Sequence, residues 1–177
     1  VVYVGFIIIN IELLEILIDG VTGSHRFFSK YFSPNFYNFL IASFEILALL
    51  VLISVIIFWT RRNVVKIKRF FSSEMKGWPK FDADNILYFE VVLMLLFLSM
   101  NATDLILQER NFEGYYKAGS FPISSFIVPL FDSFETSTVY IFERVFWWLH
   151  IIGIFFFLNY LYYSKHLHIL LAFPNTC

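Results

Sequence analysis

The residues of this chain best able to do chemistry are its four histidines, and three of them fall in one apolar stretch. Residues 147–174 read "WWLHIIGIFFFLNYLYYSKHLHILLAFP", with His150 deep inside and His166 and His168 at one end. His150 and His168 are eighteen residues apart. In a helix of ~3.6 residues per turn this is about five whole turns and a rise of ~27 Å, so the two imidazoles project from the same face at opposite depths. His166, sixteen residues from His150, projects from roughly the other side. Co-facial imidazoles separated by most of a bilayer suit a stack of two b-type haems, each iron taking an axial histidine. Gly153, nearly on the face of His150, leaves room for a porphyrin edge. Arg144 and Lys165 lie within two turns of the paired histidines, in reach of propionates, and the Ser164 hydroxyl can orient an imidazole. The plainer reading is that His166 and His168, beside Lys165, are polar residues at a membrane boundary. His150 is harder to explain that way, because ionisable groups inside a span are costly and mostly functional.

Bis-histidine ligation of two haems takes four imidazoles. His25, in "TGSHRFF", is placed to reach the outer haem through its loop. No residue of the first apolar segment pairs with His168, so that partner is expected to precede Val1. His150 and His168 are therefore the expected iron ligands, with His25 and His166 as further cofactor-binding candidates.

The elements that must position these groups are apolar. Of the 177 residues, 59% are hydrophobic and 15% charged, against ~45–50% and ~25% in soluble domains. The net charge of -1 gives no footprint for nucleic acid. The single cysteine, Cys177, excludes an internal disulfide framework and a cysteine-only metal site within these residues. A hydrocarbon core takes about 20 apolar residues in a helix. Stretches at about 1–18, 36–59, 86–107 and 139–163 qualify, and helices are the natural solution because lipid offers backbone groups no partner. The expectation is an all-α integral membrane four-helix bundle forming one domain over 1–177. The first residue is Val and the apolar run begins without a charged leader, so the chain reads as the middle of a longer protein.

The loop at 61–80 holds Arg61, Arg62, Lys66, Lys68, Arg69, Lys76 and Lys80, seven of the thirteen basic residues. The positive-inside rule makes it cytoplasmic, with both chain ends on that side. The outer loop, 108–138, contains "FPISSFIVPLF", too short to span and broken by Pro122 and Pro129. It is either a plain lid or the cover of a quinone pocket. Glu12, Glu15, Glu45 and Glu90 lie in or near spans. They are either a proton path from a quinol or partners for Asn10, Asn101 and tyrosine hydroxyls across helices.

The string "SKHLHILLAFPNT", with His150 upstream, resembles the membrane domain of bacterial (Fe-S)-binding oxidoreductases related to heterodisulfide reductase. That domain is similar to the gamma subunit of respiratory nitrate reductase. "VYVGFIIINIE", "FEILALLVL", "RRNV.K.KRF", "EMKGWPK.DA" (a point marking a position outside the match) and "MNATD" resemble the version found in Bacteroidetes-type bacteria, and the resemblance covers essentially the whole chain. It implies a b-type cytochrome fold in the bacterial inner membrane that passes electrons between quinone and a cytoplasmic iron-sulfur domain or subunit. It also implies a histidine just before Val1 and cysteine clusters after "AFPNT". This chain ends at Cys177 without such a cluster. A haem-free membrane anchor for an iron-sulfur subunit is the alternative, and a small transporter using the buried carboxylates ranks below it.

Overall fold

In a computed structural model of the chain, which describes residues 2–65 and 78–163, all regular structure is helical. The α-helices among the described residues are α1 (Val2–Thr22), α2 (Pro34–Asn63), α3 (Trp78–Glu109) and α4 (Thr136–Tyr163). Pro34 opens α2 and Pro79 stands in the first turn of α3. Proline is favoured there because its missing N–H would have no intrahelical partner and its φ is already helical. This is why α2 and α3 begin before the apolar runs at 36 and 86.

Among the described residues, three segments are long and apolar enough to cross a membrane: Pro34–Asn63, Phe81–Glu109 and Thr136–Tyr160, of 30, 29 and 25 residues. About 20 residues suffice. The span expected at 1–18 falls on α1, of 21 residues; the side chains of residues 2–9 lie outside those described. The long helices keep apolar side chains on their open faces, as lipid contact requires: Ile46, Leu50, Ile53 and Ile57 on α2, Leu149, Ile152 and Phe156 on α4. The chain divides into two compact units.

The first unit, residues 2–50 and 97–147 as described, holds the polar interior. Its apolar core gathers Ile106, Leu107 and Val139, with Phe112, Tyr115, Val128 and Phe131 packed against them. Gly20 admits the Trp147 ring, since a Cβ there would lie 2.5 Å from a ring carbon. The loop after α3 stays close to the helices and carries short 3-10 turns at Ser124–Phe126 and Val128–Leu130. Arg110 secures it, donating to the Asp132 carbonyl at 2.7 Å, the Asp132 carboxylate at 3.0 Å and the Phe134 carbonyl at 2.9 Å.

The second unit, residues 51–96 and 148–163 as described, packs Val55, Ile86, Leu93 and Ile151. The Phe89 ring meets those of Phe156, Phe157 and Tyr160 at 5.3, 6.2 and 5.9 Å between centroids. Polar ties gather where the helices end: Tyr160 donates to Asp82 at 2.6 Å, and Asp84 accepts from Asn63 at 3.3 Å and pairs with Arg62 at 3.4 Å. Lys66, Lys68, Arg69 and Lys76 of the basic loop lie outside the described residues.

Candidate functional site

His150 sits on α4 in the second unit and is 5% exposed. Its Nδ1 is 3.1 Å from the carbonyl oxygen of Leu93 on α3. A carbonyl can only accept, so Nδ1 carries the proton. The neutral ring then keeps its lone pair on Nε2. This is the tautomer found in metal-ligating histidines, whose other ring N–H is held by a carbonyl or carboxylate. Gly153, one turn further along α4, does not stand against open space. A Cβ there would lie 2.7 Å from Leu93 Cδ2, so the leucine fills the room expected for a porphyrin edge. The small residue lets α4 and α3 approach closely.

His25 and Arg26 belong to the turn after α1, in the first unit. Arg26 has φ 54°, a left-handed backbone that directs its side chain inward. The Arg26 guanidinium donates to Asp104 Oδ2 from Nε at 3.0 Å and from Nη2 at 2.6 Å, and to Asn101 Oδ1 at 3.1 Å. Burial works against the charge on Arg26, but the Asp104 carboxylate outweighs it and drives the pKa well above the usual arginine value. The second oxygen of Asp104 accepts from His25 Nε2 at 2.7 Å, while His25 Nδ1 receives the Tyr116 amide at 3.4 Å. His25 is thus the Nε2–H tautomer, with both ring nitrogens engaged.

The other carboxylates of this unit are similarly supplied. Glu15 accepts from the Tyr37 hydroxyl at 2.8 Å and the Phe28 amide at 3.1 Å. Asp19 accepts from the amides of Arg26 and Phe27 at 2.9 and 2.8 Å. Glu45, fully buried on α2, accepts from Asn101 at 3.2 Å and from the amides of Ile123 and Ser124 at 2.8 and 3.2 Å. Glu143 pairs with its neighbour Arg144 and accepts from the Tyr115 hydroxyl at 2.8 Å. Burial and the Glu143 carboxylate push the Tyr115 hydroxyl well above the usual tyrosine range, so it stays a donor. Helix–helix and loop–helix hydrogen bonding therefore accounts for Glu15 and Glu45.

These groups line a half-open cavity of about 50 Å³ in the first unit, with Glu12 and Asp19 of α1, His25 and Arg26 of the turn, Asp104 of α3, and Arg144 and Trp147 of α4 among its walls. Arg144, expected near a propionate, is held by Glu143 and lies over the Trp147 ring at 5.6 Å.

His168, His166, Lys165 and Ser164 lie outside the described residues, so the eighteen-residue pairing of His150 with His168 has no geometry to report. Reading the sequence for histidines passes over Arg26, Tyr37, Asp104 and Glu143. One signal was available: Asn101 and Asp104, three apart in "MNATD", share a face of an otherwise apolar helix. No family model, curated protein or solved structure matches the chain.

Proposed function

We propose that the chain is a haem-b electron-transfer domain of a bacterial inner membrane, passing electrons between quinol or quinone and a cytoplasmic iron-sulfur domain or subunit. The observation that carries this reading is His150. It is a buried imidazole in a membrane-length helix, its Nδ1–H given to the Leu93 carbonyl, which fixes the ring and its tautomer. In a nitrate-reductase-gamma-like four-helix bundle, His150 would hold one iron and His168 a second, and the bound haem supplies one-electron redox chemistry. The protein's part is to fix the ring of His150 and to surround it with apolar side chains. His150 fits an axial ligand; His25, with Nε2 on Asp104 and Nδ1 accepting the Tyr116 amide, would have to release one of these to serve as its partner. The basic loop at 61–80 would face the cytoplasm, where both chain ends would also lie.

The test is a pyridine haemochrome assay on the full-length protein purified in detergent. Haem is expected in the wild type and is expected to fall in His150→Ala. Full-length protein free of haem would overturn the reading.

A second reading, a haem-free anchor that docks an iron-sulfur subunit, is favoured by Leu93 filling the space beside Gly153. It requires that His150→Ala leave electron transfer unchanged.

A further inference from the structure

The cavity in the first unit is lined mostly by charged and polar side chains. About 50 Å³ is room for a few water molecules, since roughly 10–15 Å³ suffices to hold one. The groups facing it can be followed one by one. Asp104 takes Arg26, His25 and Gln108. Glu15 takes Tyr37 and Phe28, and Asp19 takes two backbone amides. Glu143 takes Arg144 and Tyr115. Glu12 remains: it lines the cavity and has no hydrogen-bond partner among the described residues. Glu12 is half-buried, and a carboxylate facing this cavity turns to water for its hydrogen bonds.

We infer that Glu12 exchanges a proton with water held in this cavity, forming the inner end of a proton path that leaves along the C-terminal end of α1. The outer end is built from hydroxyls. Glu12 and Asp19 are seven residues apart, about two turns, and both line the cavity. Ser24 Oγ donates to Asp19 Oδ1 at 3.5 Å and lies 2.7 Å from Thr22 Oγ1, and that pair of hydroxyls is exposed. Proton occupancy at Glu12 is governed by the charges around it. Glu15 and Asp19 share its helix, His25 and Arg26 face it from the turn, Glu45 from α2, Asp104 from α3, and Glu143 and Arg144 from α4. The use of this path rests on the electron-transfer reading: a quinol gives up two electrons, to ferric haem, and two protons, which need a base and a way out.

The experiment is infrared difference spectroscopy of the full-length protein in lipid nanodiscs after a pH change. It needs neither haem nor quinol. A carboxylic-acid C=O band that titrates, moves to lower frequency in D₂O and is absent from E12Q is expected. In E12D the band should remain but move, which covers an E12Q protein that does not fold. An E12Q spectrum identical to the wild type, or a band unaffected by D₂O, overturns the inference. With quinol as donor, E12Q should slow proton release to the medium by roughly 10²-fold. Haem-free wild-type protein that still shows the band defeats the electron-transfer reading and leaves the Glu12 site standing.

Discussion

Arg26 and Asp104, 78 residues apart in sequence, meet through two hydrogen bonds of 3.0 and 2.6 Å with both side chains nearly buried. The pair joins the turn after α1 to α3 in the first unit. Buried ion pairs add little over a well-packed apolar pair, but removal of one partner strands the other charge, at about 3–5 kcal/mol. Arg26→Met is therefore expected to destabilise the protein by that amount in chemical unfolding followed by circular dichroism. Arg26→Lys, which keeps the charge and loses the planar fork, should fall between. A loss for Arg26→Met under about 1 kcal/mol, the range of exposed pairs, would show that the carboxylate finds water instead.

His25 gives its Nε2–H to Asp104 at 2.7 Å, so its role in the described unit is to complete the carboxylate's shell. His25→Gln is expected to keep the haem content of the full-length protein, because both ring nitrogens are engaged, Nε2 with Asp104 and Nδ1 with the Tyr116 amide. It should cost about 1–3 kcal/mol, the penalty for disturbing a buried hydrogen bond. Haem per protein from the haemochrome assay, measured beside the melting curve, separates the two roles. Loss of haem at unchanged stability would return His25 to the iron.

Gly153 and Leu93 interlock, with 2.7 Å between Leu93 Cδ2 and the place of an added Cβ. Gly153→Ala should cost about 1–3 kcal/mol by overpacking. Because the contact is with the far end of a flexible side chain, Leu93→Ala in the same molecule should recover part of the loss. If the haem instead occupies this place in the loaded protein, Gly153→Ala will lower haem content while the haem-free form melts unchanged. The two outcomes distinguish a packing glycine from a cofactor glycine.

The helices were legible because each long apolar run has only one solution in lipid. The helix ends were less so, since Pro34 and the residues from Trp78 extend α2 and α3 through polar sequence that an apolar window ignores. The carboxylates could be picked out one at a time, but not their partners. Glu45 is matched by Asn101 and by loop amides, and Asp104 by a turn 78 residues away. Such pairings depend on how helices come together, which a residue's own neighbours in sequence do not encode. Gly153 shows the same gap: its missing side chain signals a close approach without saying whether a cofactor or Leu93 makes it.

Glu45 gives the most local test of how the outer loop is held. It has 0% exposure, and one oxygen accepts the amides of Ile123 and Ser124 while the other accepts Asn101. The loop there is apolar, with Phe121 and Ser124 buried and Phe126 83% exposed. Glu45→Ala would leave both amides and the Asn101 amide without an acceptor, each at about 1–3 kcal/mol. Amide hydrogen exchange at Ile123 and Ser124 should accelerate by more than roughly tenfold, the factor that 1.4 kcal/mol brings. Exchange at Arg110 and Phe112, held by α3 carbonyls, should stay slow. Glu45→Gln keeps one acceptor oxygen and should lie between. If Ile123 and Ser124 exchange no faster in Glu45→Ala, the loop is held by its apolar contacts and the buried carboxylate serves α3 alone.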